Sequence, residues 1–373
     1  MKVSAKPIFG RDETAAGSRL QIEPTPLPSR GGAVLVLALL LALISPVSAQ
    51  WVTVDPTFPT GSGPNAFVRT VAVQPDGQIL VGGTFTNISG SLRPYIARLG
   101  TNGVVDAGFL TQLSAEATRV QPLLDGRILI SGSFSNVNGV ACPGLARLQA
   151  DGTLDSSFVP PSGLSASGSV AVLAASNGQV WVTGTFTSLG GLPRNRVARL
   201  LPDGTVDPSF QSPFAATNTV ALVALQADGK PLISGSFTNL PGASVTNLVR
   251  LNLDGSVDAS FVARLAPGER VIRGLLMPDG RLVAAVAPYA DFGMASAIPH
   301  LVRLGLDGSL DPTFNVTFEA PGFPWSSTVY ALALQPDGRI LVSGTFLRVN
   351  GVSRGKLARL APDGTLDFCF DVA

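Results

Sequence analysis

Histidine is almost absent: His300 is the only one among 373 residues. The two cysteines, Cys142 and Cys369, stand far apart in the chain. No zinc cluster or histidine-based catalytic triad can be assembled from these, and the sequence implies no metal and no cofactor. Charge is scarce too: 14% of the residues are charged, against roughly 25% in an ordinary soluble protein. The net charge is +1 and no run of Lys or Arg occurs, which excludes a basic footprint and leaves no nucleic-acid partner. After Gln50 the only glutamates are Glu116, Glu269 and Glu319, each in a different connection between repeats. Aspartates occupy turns or one recurring frame, leaving Asp291 and Asp371 outside the pattern. The turn aspartates lack the closely spaced oxygen ligands of a calcium loop.

What the chain has in quantity is apolar: 45% of its residues, with 41 glycines and 29 prolines that recur at fixed offsets, as turn residues do in a many-stranded protein. The first 49 residues are different. Lys2, Lys6, Arg11, Arg19 and Arg30 precede the run AVLVLALLLALIS (Ala33 to Ser45), followed by PVSAQ with small residues where signal peptidase cuts. The run is short for a membrane span of about 20 residues. The expectation is a signal peptide with an extended leader over 1–49, cleaved after Ala49, and a secreted or cell-surface monomer with no membrane span once processed. An uncleaved N-terminal membrane anchor is the alternative. Export permits a disulfide; two free thiols are the expected state.

From Gln50 to the C-terminus the chain repeats itself. Turns of the PDG type centre on Gly77, Gly126, Gly178, Gly229, Gly280 and Gly338, about 51 residues apart, and a second series follows each by about 26 residues. Each unit reads as two hairpins. In TVAVQPDGQILVGGTF (Thr70 to Phe85) the loop Pro75-Asp76-Gly77 sets Val73 opposite Ile79 and Val71 opposite Val81. Both faces of that hairpin are apolar, so both require cover. The fold predicted for 50–373 is all-β: a six-bladed β-propeller of four-stranded antiparallel blades, with seven blades or an open array as alternatives.

The same register places arginine across from aspartate in every second hairpin: Arg98 and Asp106, Arg147 and Asp155, Arg199 and Asp207, Arg250 and Asp258, Arg303 and Asp311, Arg359 and Asp367. These are read as structural ion pairs of the blades. The frame D-x-x-F occurs seven times, once more than any other element. The extra copy, VDPTF at Val54 to Phe58, is expected to join the last blade and close a ring.

The order VDPTF, VAVQPDGQILVGGTF, IARLGTNG resembles the delta-60 repeat, a β-propeller-type repeat of exported bacterial proteins, and Val329 to Phe370 matches it most fully. The resemblance implies the fold and export. It brings no catalytic residues and no established common activity. The fifth unit departs from it, reading VAAVAPYADFGMASAIPH (Val283 to His300) where the others have G-T-F or G-S-F.

Tight turns leave one face of such a disc bare, and the long connections emerge on the other, where binding is expected. Arg93, Arg194 and Arg354 recur at one position of a long loop, suited to bonding loop carbonyls or an anionic ligand. Phe323 and Trp325 sit with Glu319 in or beside the longest connection, and Tyr289, Asp291 and His300 in the irregular fifth unit. The reading is a binding or surface-interaction module for a glycan or a cell-envelope protein. The alternatives are a carbohydrate-active hydrolase or lyase, which needs two carboxylates from Glu116, Glu269, Glu319 and Asp291 to converge, and a structural spacer in an envelope assembly.

Overall fold

The computed structural model describes Phe58 and residues 61–164, 170–243, 245, 247–288, 299–320 and 328–370. The leader and the segment Trp51 to Thr57 lie outside the described residues, as do Tyr289, Asp291, Phe323 and Trp325. Among the described residues every regular element is a strand and no helix occurs.

Six repeated units follow one another. In the first, an inner strand Val68–Val73 pairs with a middle strand Ile79–Gly83, which pairs with an outer strand Ile96–Leu99. The register is the expected one, Val71 opposite Val81 and Val73 opposite Ile79. The turn between them closes because Gly77 adopts φ +84°, a left-handed conformation that a side chain would resist. The corresponding inner strands of the later units are Ala117–Pro122, Ala171–Ala174, Thr219–Leu225, Glu269–Leu276 and Val329–Leu334. Each packs beside the one before it.

Four full strands per unit do not form. In five units the fourth is reduced to a single bridge, such as Leu148 with Leu154 or Leu360 with Leu366, giving three-stranded sheets. The aspartate that follows bends the chain: in all six units it accepts from the amide two residues on, Asp311 of the fifth included. Asp155 accepts from the Ser157 amide at 3.0 Å and the Ser157 hydroxyl at 2.6 Å. The fifth unit is nonetheless the exception to the single bridge. Its fourth strand, Leu310–Glu319, runs on to pair Phe318 with Val349 of the sixth unit.

The six arginine–aspartate pairs all form. Arg147 Nε lies 2.6 Å from Asp155 Oδ2 and Arg199 Nε 2.8 Å from Asp207 Oδ2, with all four side chains buried. Each arginine also stacks on an aromatic ring, Arg147 on Phe158 at 4.7 Å and Arg199 on Trp181 at 5.6 Å. Four of them reach forward as well. Arg98, Arg147, Arg250 and Arg303 donate to backbone carbonyls of Ala150, Pro202, Leu306 and Pro362 in the following unit. The pairs therefore fasten neighbouring units together.

The D-x-x-F phenylalanine reaches forward in the same way. Phe109 lies over Gly152 of the second unit and Phe314 over Gly364 of the sixth, where a Cβ would come within 2.9 Å of each ring. Phe58 lies over Gly103 of the first unit in the same fashion. Phe58, the phenylalanine of VDPTF, thus gives the first unit the contact that Phe109 gives the second and Phe314 the sixth; the rest of VDPTF lies outside the described residues.

Cover is also incomplete at the two ends. Val120 in the second unit is 5% exposed, whereas Val71, at the equivalent position of the first, is 59% exposed and Val73 is 66% exposed. In the sixth unit Leu341 and Leu357 are only half-buried, although Leu129 and Leu145 at the matching positions of the second are sealed. Both cysteines are free, Cys142 buried and Cys369 partly so.

Candidate functional site

Three arginines of the long-loop set answer to the protein itself. Arg93, Arg194 and Arg354 each donate from Nη1 to the carbonyl of the preceding residue at 2.8 Å. Arg93 Nη2 reaches the carbonyls of Asp106 and Ala107 at 3.3 Å, and Arg194 Nη2 those of Asp207 and Pro208 at 3.2 and 3.3 Å. Arg194 is 3% exposed, and Arg354 is buried under the ring of Phe368 at 5.7 Å. These guanidiniums hold loops.

The rare carboxylates are likewise dispersed. Glu116 pairs with Arg69 at 3.3 Å. Glu269 faces His300 Nε2 at 3.4 Å and accepts from the Ala266 amide at 2.9 Å, so His300 serves to tie the start of one strand to another. Glu319 ends the long fourth strand, opposite Arg348. Among the described residues no group of three or more His, Cys, Asp or Glu side chains gathers as a metal site would require.

The side chains that do converge come from the inner strands. Arg69, Thr118, Ala171, Ala221, Ile272 and Tyr330, one from each unit, line a single cavity of about 430 Å³. Local backbone irregularity aims several of them. Arg69, Thr118, Ile272 and Tyr330 each sit at a register shift, where an extra residue leaves the ladder and swings its side chain away from it. Most of these residues stand near the start of their strands, where the chain arrives from a long connection, so the cavity opens on the long-connection side. A second cavity of about 440 Å³ follows on the tight-turn side, and Arg119 lines both.

The first cavity contains three guanidiniums, those of Arg69, Arg119 and Arg273, and no carboxylate among its lining residues. Arg69 is engaged by Glu116 from the rim. Arg273 is fixed by two donations, Nε to the Tyr330 carbonyl at 2.8 Å and Nη1 to the Ile272 carbonyl at 2.7 Å, which leave Nη2 over. Arg119 has neither a hydrogen-bond nor an ion-pair partner among the described residues. Burial, and after it the like charge of Arg273, push the Arg119 guanidinium below its ordinary pKa.

Sequence reasoning missed this cluster. The signal was present: Arg69 in FVRTVAV, Arg119 in ATRVQP and Arg273 in RVIRGLL each interrupt an apolar first strand. A charge there is not needed for the ladder.

Comparison with known proteins yields repeat similarity along the chain. Residues 74–109, 123–158, 175–210, 226–261, 278–314 and 335–367 each match the same repeat, and together they make up more than half of the sequence. No curated protein sequence matches. A catalytically inactive virginiamycin B lyase from Staphylococcus aureus, solved with quinupristin, is similar at 12% identity and TM-score 0.49, covering 85% of this chain and 86% of that one. A protein of unknown function from Bacteroides caccae has 13% identity and TM-score 0.39 over 73% of this chain and 87% of its own. A puromycin hydrolase has 17% identity and TM-score 0.48, and this chain, 84% covered, spans 48% of it. At these identities the likenesses say nothing about chemistry. The six matched segments do assign a family: the chain belongs to the domain of unknown function (DUF5122) beta-propeller family.

Proposed function

We propose that this chain is an exported six-bladed β-propeller that acts as a binding module, taking its ligand into the central cavity from the long-connection side. One observation carries the reading: six inner strands, one per unit, contribute to a single cavity of about 430 Å³, within the range of small-molecule sites. An axial site of this kind needs all six units, which gives a reason for the regularity of the repeats. Closure of the ring would cover the exposed Val71 and Val73 of the first unit and the half-buried Leu341 and Leu357 of the sixth, which no neighbouring unit seals. The likeness to the delta-60 repeat supports export, with a glycan or a cell-envelope molecule as the natural ligand class.

The test uses Ala221→Trp, which places an indole in the cavity from an exposed position of an inner strand. Thermal melting of the purified chain against a panel of soluble glycans and small metabolites should find compounds that stabilise the wild type, and the variant should lose those shifts. Shifts that persist in Ala221→Trp, or a panel that stabilises neither, would remove the cavity as the binding site. For export, mass spectrometry of protein secreted by a bacterial host should find Gln50 at the N-terminus; recovery of intact leader from membranes would support the anchor instead.

A further inference from the structure

The cavity's charge is more specific than its volume. A folded chain does not ordinarily place a half-buried guanidinium beside a second one with no acid at hand, because it loses hydration and meets a like charge. Glu116 neutralises Arg69 at the rim, but nothing comparable reaches Arg119. Arg273 is oriented by the carbonyls of Tyr330 and Ile272, so its remaining donors have a fixed direction. Around these cations Val170, Leu222 and Ile272 add apolar surface beside the hydroxyl-bearing Thr70 and Thr118, and Tyr330 also lines the space.

We propose that Arg119 and Arg273 form a receptor for the oxyanion head of a small organic anion, a carboxylate or a phosphate monoester, whose apolar body lies against Val170, Leu222 and Ile272. This rests on the cavity being the binding site, and it names the class of ligand. The planar fork of an arginine suits two oxygens of either group, and an anion between the two guanidiniums removes the repulsion that the empty site carries. Such a cluster weakens the unliganded fold, a cost that a bound anion offsets. The depressed pKa of Arg119 agrees with a site that is electrostatically unsatisfied when empty.

Titration calorimetry on the full chain, with phenyl phosphate, benzoate and the neutral benzyl alcohol as probes, tests this. The anions should bind about tenfold or more tightly than the alcohol, with affinity falling as salt is raised. Arg119→Met and Arg273→Met should each lose about tenfold or more of that affinity, while Arg264→Ala, which removes an exposed cation elsewhere, should not. Arg119→Met should also melt at or above the wild-type temperature, because it deletes an unpaired, half-buried charge. That result separates lost binding from lost folding. The preference between phenyl phosphate and benzoate decides which oxyanion the site was built for.

Anions that bind no better than the alcohol, or that bind equally well to Arg119→Met, overturn the proposal. If benzyl alcohol binds, is blocked by Ala221→Trp and ignores both arginine variants, the cavity remains a binding site and only the anion inference falls. If no probe binds a chain that melts cooperatively, both fall.

Discussion

Replacing Arg147 by alanine should expose how much the buried ion pairs hold neighbouring units together. Asp155 is 2% exposed and Arg147 is 3% exposed. Burial alone would raise the Asp155 carboxyl, but the Ser157 hydroxyl, the Arg147 guanidinium and the Ser157 amide overcome it and hold the pKa at about 2, against 3.8 in its absence. At about 1.4 kcal/mol per unit, that difference is roughly 2 kcal/mol of stability. Because the folded value lies below the unfolded one, this contribution is complete above about pH 4 and is lost as pH falls through about 2. Arg147→Ala strands a buried carboxylate, and with Arg127 still 3.1 Å away the cost should fall near about 3 kcal/mol, the low end for breaking such a pair. The forward bond to the Pro202 carbonyl is lost with it. In the variant burial wins and the carboxyl protonates earlier on acidification. The stability gap to wild type should therefore narrow between about pH 4 and about pH 2. Urea unfolding followed by circular dichroism across that range measures the gap. The double variant with Asp155→Ala should cost less than the two singles together by about 1 to 3 kcal/mol. A gap that is flat with pH, or strict additivity in the cycle, would refute the account.

Phe58→Ala should destabilise by about 1 to 2 kcal/mol, since the ring is half-buried, and amide exchange should speed up in the first unit alone. Equal loss of protection in Val329–Leu334 would instead show the segment tying the first unit to the last, as ring closure requires. Gly255 has φ +95° and a Cβ there would come 1.8 Å from the Gln211 carbonyl oxygen, whereas Gly242, at φ +79°, has open space around it. Gly255→Ala should thus cost well over the roughly 1 to 2 kcal/mol of the left-handed conformation itself, and Gly242→Ala only that amount; matching losses in chemical denaturation would contradict the packing of Gln211 on the turn.

Pairing inside a unit was legible because period and turn chemistry determine it. Once Pro75-Asp76-Gly77 is the loop, Val71 must meet Val81, and the same rule delivers Arg359 to Asp367. What lies between units was less legible. Nothing in D-x-x-F says that Phe109 travels on to Gly152, because that depends on where the next unit stands. The cavity was hard to read for a related reason. Arg93, Arg194 and Arg354 recur, and recurrence reflects the scaffold, since each satisfies its own loop carbonyls. Arg119 and Arg273 break the repeat, and only the convergence of inner strands from separate units shows that they share a space.

The forward reach of the segment at each D-x-x-F bears on how the chain is made. What packs on a unit's glycine lies upstream of it: the rings of Phe58 before Gly103, Phe109 before Gly152 and Phe314 before Gly364, and the backbone of Val159 before Gly204, Gln211 before Gly255 and Val262 before Gly308. A ribosome, or a secretion channel threading the chain N-terminus first, therefore delivers each packing segment before the glycine it covers. Every emerging unit can dock on a partner that has already been synthesised. The polypeptide can condense in the order of its own birth, one repeat at a time, without exposing a completed apolar face for longer than the next fifty or so residues take to appear.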